Sequence, residues 1–283
     1  MRANIELVLS STNPERLHWL PKQESPRSRH KKQKKLQRVT VRKRVDVTPE
    51  LLKMWIEKPE GYSFKPGQYC TIGIDGIERA YSIVSAPYEK DLELFVELVP
   101  KDEGGVLTPL IWDLHEGDTV TIRPRGKGVF VFKPQWRNHF MLATVTGVVP
   151  FVSIVRQYLN DMAEAQNTEG EPGVEHHMYI LMGASYADEF VYDAELQEVA
   201  EAHPGLVTFV PTISRPGEAR NNGWSGQTGR ANAITEEFLK RWNLSAEDTL
   251  IYACGHPGMI EDVKERCVPL GYTVEEERFW KQD

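Results

Sequence analysis

The sequence predicts two architectures in series: an antiparallel Greek-key β-barrel, followed by an α/β domain built on a five-stranded parallel sheet. Three observations carry this. Between Leu36 and about Lys133, short alternating strands are separated by Gly-, Pro- and Asp-containing turns. Beyond Trp136 the strands become continuous apolar runs, as in strands buried on both faces, and they alternate with helical patterns. A length of 283 residues exceeds one typical domain.

Taken in order, residues 1–35 read as a basic, flexible tail. The run Ser25-Pro-Arg-Ser-Arg-His-Lys-Lys-Gln-Lys-Lys35 has high charge and no hydrophobic period, so it has too little apolar surface to order itself. The barrel is expected over 36–134. Val39, Val41, Val45 and Val47 alternate with polar residues, as do Leu52, Met54 and Ile56. Turns at Lys58-Pro59-Glu60-Gly61 and Phe64-Lys65-Pro66-Gly67 lead into strands at 68–74, 78–84, 92–99 and 119–122. The α/β domain is expected over 135–283. Its strands fall at 140–145, 177–182, 206–212, 249–254 and 272–276, with helices at 151–165, 188–202, 231–242 and 257–270.

Net charge is −7 but segregated: residues 1–44 carry +10 and the remainder −17. Such asymmetry fits an acidic protein partner, an anionic surface or nucleic acid. No apolar run reaches the roughly 20 residues of a membrane span. The first 30 residues have no apolar export segment and include Glu6, Glu15 and Glu24. Three widely spaced cysteines make neither a disulfide framework nor an iron–sulfur site. A cytoplasmic protein without a metal, a membrane association or a nucleic-acid partner is the expectation.

Four segments carry candidate chemistry. In Arg79-Ala80-Tyr81-Ser82-Ile83, alternation puts Arg79, Tyr81 and Ile83 on one face and Ser82 on the other. A guanidinium beside an aromatic ring suits a flat, anionic ligand. Parallel sheets bind ligands at the carboxyl ends of their strands, where loops enter helices. Three such loops stand out. Thr144-Val145-Thr146-Gly147-Val148-Val149-Pro150 offers hydroxyls and a glycine suited to a pyrophosphate. Thr212-Ile213-Ser214-Arg215-Pro216 ends a strand with a hydroxyl and a guanidinium. Cys254-Gly255-His256-Pro257-Gly258-Met259 ends another. By pattern alone Cys254 also reads as a small buried hydrophobe and Trp280 as a packing residue.

Together with Gly104-Gly105-Val106-Leu107-Thr108 and Glu277-Arg278-Phe279-Trp280, these segments resemble the ferredoxin–NADP(H) reductase family in its bacterial branch, over about residues 37–280. The resemblance implies an FAD-holding barrel followed by a Rossmann-like NADP(H) domain. It places Arg79, Ala80, Tyr81, Ser82, Gly105, Val106 and Thr108 on FAD. It places Thr146, Gly147, Pro150, Ser185, Ser214, Arg215, Arg230, Gly255 and Asp262 on NADP(H). Ser82, Cys254, Phe279 and Trp280 would surround the stacked flavin and nicotinamide rings, the last two as a removable aromatic cover.

The implied activity is hydride transfer between NADPH and FAD coupled to one-electron exchange with a ferredoxin or flavodoxin, the basic tail helping to dock that acidic carrier. A flavin reductase or the reductase component of an oxygenase is the alternative. A non-catalytic interaction protein using the tail is the alternative of another class. One position departs from the family pattern. Val145 stands where the pyrophosphate loop usually has glycine, so either its peptide is in β geometry or dinucleotide binding is weakened.

Overall fold

Alternating valines in the first strand dictate a sheet with one face turned inward, and the barrel half follows from it. The computed structural model describes residues 36–166 and 175–278. Its first sheet consists of β1 (Gln37–Thr48), β2 (Leu51–Glu57), β3 (Tyr69–Ile74), β4 (Ile77–Ser82), β5 (Asp91–Glu97) and β6 (Thr119–Ile122), in the order β4-β3-β6-β1-β2-β5. All its pairings are antiparallel. Just beyond β4, the Val84 amide donates to the Glu93 carbonyl at 2.9 Å, bringing the two edges together. Val39, Val41, Leu52, Met54 and Ile56 share one core with Cys70, Ile72 and Ile122. The short helix α1 (Thr108–Trp112) covers one end of it through Ile111.

β5 is buried on both faces. Leu92, Leu94 and Val96 point into the barrel, whereas Phe95 joins the core under the second sheet. The alternation Leu92, Leu94, Val96 marks the barrel face of β5, and Phe95 is the apolar residue that serves the other face.

The second sheet contains β7 (Asn138–Thr144), β8 (His177–Ala184), β9 (Val207–Ile213), β10 (Gln227–Thr228), β11 (Thr249–Gly255) and β12 (Thr273–Arg278). They run parallel in the order β10-β9-β8-β7-β11-β12. Helices α2 (Val149–Gln166), α3 (Asp193–Ala202), α4 (Thr235–Arg241) and α5 (Pro257–Cys267) connect them. Six strands replace the five expected. The sixth, two residues long, forms because Thr212 Oγ1 donates to the Gly229 carbonyl and the Gly229 amide to the Ile213 carbonyl, both at 2.8 Å.

Two helices are shorter than their sequence patterns. The stretch 188–202 yields a helix only from Asp193, because residues 185–189 form a turn in which Glu189 caps the Ser185 and Tyr186 amides. In the stretch 231–242, the first residues close a turn back on the Arg230 carbonyl before α4 begins. No described helix is long and apolar enough to cross a membrane.

The described residues belong to one compact unit. Its two sheets are tied by polar contacts as well as by the shared apolar core. Ser153 Oγ on α2 donates to the Ser85 carbonyl at 2.9 Å. Arg156 on α2 donates to Glu93 on β5 at 2.7 Å and, bidentately, to Glu195 on α3. Tyr192 donates its hydroxyl to Glu93 at 2.9 Å. Glu93 is 3 % exposed, so its desolvated carboxylate depends on the Arg156 guanidinium and the Tyr192 hydroxyl.

Candidate active site

Strand order places the crevice of the parallel sheet between β7 and β11, where the connections leave in opposite directions. The loops after these two strands fit together through their backbones. At Gly147, an added Cβ would lie 2.1 Å from the Cys254 carbonyl oxygen. At Gly255, with φ of 123°, it would lie 2.2 Å from Thr144 Oγ1. That same Oγ1 accepts the His256 amide at 2.9 Å, and His256 Nδ1 then caps α5 by accepting the Gly258 amide. Both glycines are therefore required first by loop-on-loop contact. Thr146 and Pro150 are buried beside them.

Val145 corrects the sequence expectation. Its φ is 41°, so the peptide is not in β geometry. A β-branched residue is strained in the left-handed region, by about 1–2 kcal/mol. The strain is held by its surroundings. Residues 145–148 form a 3₁₀ turn that must bring Gly147 onto the Cys254 carbonyl, and the Val145 side chain packs on the core beneath.

On the barrel side, β4 pairs Arg79 with Ile72, Tyr81 with Cys70 and Ser82 with Tyr69. Arg79 and Tyr81 accordingly share the face of the barrel core, and Ser82 faces the other way. Tyr81 is half-buried against that core, while Arg79 reaches into solvent near the hairpin end and bonds the Glu78 carbonyl. Ala80 is exposed. Ser82 is 7 % exposed and its Oγ is buried with no hydrogen-bond partner. An unsatisfied buried hydroxyl is rare and is the kind of group a bound ligand completes.

The Gly105–Thr108 segment departs from the role implied for it. Thr108 Oγ1 donates to the Val99 carbonyl at 2.9 Å and accepts the Val99 amide at 3.1 Å, so the hydroxyl expected for a ligand phosphate braces its own loop. Gly105 is needed because a Cβ there would lie 1.7 Å from the Val99 carbonyl oxygen. Val106 is exposed.

At the far end of the sheet, Ser185, Ser214 and Arg215 come together at the ends of β8 and β9. Asn221, 3 % exposed, pins them by donating to the Ser185 and Arg215 carbonyls. Tyr186 lies between two guanidinium groups, Arg215 at 5.4 Å and Arg220 at 4.1 Å from its ring centre. Both arginines already carry acidic partners, Glu218 and Asp188. Arg230 is exposed immediately after β10. Tyr186, Arg220 and Asn221 were not read from the sequence, since none stands in a recognisable motif. Asp262, on α5, accepts hydrogen bonds from Asn232 and Arg266.

Cys254 is fully buried. Burial and then Glu277 push its thiol well above the ordinary range, so it stays protonated. Glu277, the register partner of Cys254 on β12, is itself pushed up to about 7 by burial. The sequence marked Glu277 only as the start of the Glu277–Trp280 segment and gave it no role of its own. Phe279 and Trp280 lie outside the described residues.

Comparison with known proteins follows this geometry. The oxidoreductase NAD-binding domain model matches residues 141–265, from β7 through most of α5. The flavodoxin/ferredoxin–NADP reductase of Escherichia coli is 29 % identical over 211 residues, covering 71 % of this chain and 77 % of that protein. The chain resembles the ferredoxin–NADP(H) reductases. The sulfhydrogenase 1 gamma subunit of Pyrococcus furiosus is 28 % identical over 80 % of this chain and 68 % of that one. A ferredoxin NADP+ reductase of Neisseria gonorrhoeae, solved with FAD and NADP bound, shares the reductase fold. Its TM-score is 0.73 at 23 % identity, covering 87 % of this chain and 99 % of that chain.

Proposed function

We propose that this chain takes a hydride from NADPH onto FAD and passes the electrons singly to a ferredoxin or flavodoxin. The barrel, residues 36–134, is assigned to FAD and residues 135–283 to NADP(H). The observation that carries the reading is the unpartnered, buried Ser82 hydroxyl at the end of the Arg79–Tyr81 strand, three residues before the Ser85–Ser153 bond to α2. Its position suits a ligand lying between barrel and parallel sheet.

When bound, FAD supplies two-electron acceptance and one-electron release. The chain supplies the rest. Arg79 offers an exposed guanidinium to a phosphate, Tyr81 a ring held by the barrel core, and Ser82 a buried hydroxyl to a ring edge. Burial pushes the Glu277 carboxyl up to about 7, so it is part-protonated near neutral pH, next to a Cys254 thiol that remains neutral. Arg215, Arg220, Arg230 and Ser214 form the region that distinguishes a 2′-phosphate.

The test is the visible spectrum of purified protein before and after NADPH. A flavin spectrum bleached by NADPH and restored by oxidised ferredoxin or flavodoxin supports the assignment. A colourless protein that takes up no added FAD overturns it. Ser82→Ala should retain FAD yet lose at least tenfold in the rate of flavin reduction by NADPH, the scale of one removed hydrogen-bond donor. Full retention of the rate would reduce Ser82 to a packing residue.

Val145 has a separate consequence. A glycine adopts φ of 41° without strain, so Val145→Gly should lower the KM for NADPH severalfold with the loop geometry kept. An unchanged or higher KM removes strain as an influence on binding.

A further inference from the structure

Residues 83–90 connect β4 to β5, and they begin directly after the buried Ser82 hydroxyl assigned to the flavin. A connection of this kind ordinarily moves more than the strands it joins. This one is fastened along its length. The Val84 amide donates to the Glu93 carbonyl and the Glu93 amide to Ser85 Oγ, both at 2.9 Å. The Ala86 amide donates to Glu89 Oε1 at 2.7 Å. Lys58, just past β2, donates to the Pro87 and Glu89 carbonyls.

The parallel-sheet half grips the same connection through one charged side chain. Arg156 lies about two turns into α2, the helix that starts where the 145–148 turn ends. Its Nη1 donates to Glu93 at 2.7 Å and reaches Glu89 at 3.4 Å. Its Nε and Nη2 hold the two oxygens of Glu195 at 2.7 and 2.8 Å. One cation thus serves three carboxylates, on the connection, on β5 and on α3. Tyr192 closes the set by donating to Glu93 at 2.9 Å. The cations nearby are committed elsewhere, Lys58 to its two carbonyls and Lys53 to the Tyr192 ring. A planar guanidinium with five donors suits this arrangement, and a point-charge ammonium does not.

We propose that Arg156 is a positioning residue for hydride transfer. By fastening α2 to the β4–β5 connection, it fixes how the Ser82 end of the barrel stands to the Thr146–Gly147 turn, and with that the approach of the two ligands. The proposal rests on the reading that the barrel holds FAD and the turn receives NADPH. Arg156 acts through Glu89 and Glu93, not on either ligand.

The FAD-loaded protein tests this by hydrogen exchange and by single-turnover reduction with NADPH. The decisive variant is Arg156→Met/Glu93→Gln, which removes the clamp without leaving an unpaired buried charge and still offers the Tyr192 hydroxyl an acceptor. Exchange across residues 83–93 should quicken by roughly tenfold, with residues 249–255 unchanged. Flavin reduction at saturating NADPH, expressed per bound FAD, should slow by roughly ten- to hundredfold, the cost of about 1 Å of misplacement. The half-saturating NADPH concentration should stay the same, because both ligand sites are intact. Arg156→Lys keeps the charge but not the fork, so it should restore only part of the rate. Glu195→Gln cuts only the α3 arm at a side chain 37 % exposed, and it decides the matter if the double variant does not fold. It should shift exchange and rate in the same directions. Faster exchange with an unchanged rate per flavin reduces Arg156 to a structural brace and overturns the inference, as does unchanged exchange, and either result leaves the reductase reading in place. A wild-type protein whose bound FAD is not reduced by NADPH overturns both.

Discussion

Gly147→Ala is expected to lower the melting temperature by roughly 6–12 °C and to remove measurable NADP+ binding. The added methyl would lie 2.1 Å from the Cys254 carbonyl oxygen, 2.6 Å from its carbonyl carbon and 3.0 Å from Gly255 Cα. All three are backbone atoms, so no side-chain rotation relieves the overlap. The loops after β7 and β11 must part, which breaks the His256–Thr144 bond and opens the crevice. Overpacking of this kind costs on the order of 3 kcal/mol. Gly205→Ala is the matched control, because nothing lies within 4 Å of a Cβ at that position. Thermal melts and NADP+ titrations of both variants decide the matter. A Gly147→Ala protein indistinguishable from Gly205→Ala would mean that the loops are not clasped as described.

Acidification is expected to remove on the order of 4 kcal/mol of stability between pH 6.5 and 3 through one side chain, His139. It lies at the opposite end of β7 from the active site and is fully buried. Burial, and then the neighbouring His176, lower its pKa from 6.5 to about 3. His176 Nδ1 lies 2.9 Å from the Trp136 carbonyl, so it must carry the proton. His139 Nε2, 3.3 Å from that nitrogen, therefore accepts, and His139 Nδ1 bears a hydrogen with no partner. The ring of Phe132 covers the imidazole at 4.3 Å, leaving no route for solvation.

The sign follows from which state binds the proton first. The unfolded imidazole protonates near 6.5 and the folded one only near 3. The contribution of His139 is thus complete above pH 6.5 and shrinks as pH falls towards 3. Urea unfolding at pH 7.5 and pH 4.5 should show this loss in the wild type and a shallower loss in His139→Leu. Equal losses in the two proteins would assign the acid sensitivity to other groups.

Both effects depend on features of unequal visibility. The loop at 144–150 was recognisable because hydroxyls and a glycine follow an apolar strand, and Val145 was recognisable as an anomaly within it. Its backbone geometry was not, and β geometry was the wrong alternative of the two considered. The left-handed φ arises because Gly147 must meet a carbonyl more than 100 residues away in the chain. Thr108 shows the same limit. The resemblance implies Thr108 as a phosphate donor, yet a loop of its own consumes the hydroxyl at Val99.

Residue periodicity by itself determined the two-part architecture and the strand–helix alternation, and side-chain chemistry singled out Arg79–Ser82 and Thr144–Pro150 as candidate segments. It could do so because burial imposes a period of two in half-buried strands and continuous apolar runs in strands buried on both faces. Only the tertiary structure decided which polar groups are free to act. It left Ser82 without a partner, committed Thr108 and Asp262 to structural bonds, and set Glu277 beside Cys254. The physical reason is that apolar burial is a property of each residue with its near neighbours, whereas availability and charge depend on what folds against them from elsewhere in the chain. In a chain with 41 acidic residues, nothing in the local pattern shows that Glu277 is the strand partner of Cys254.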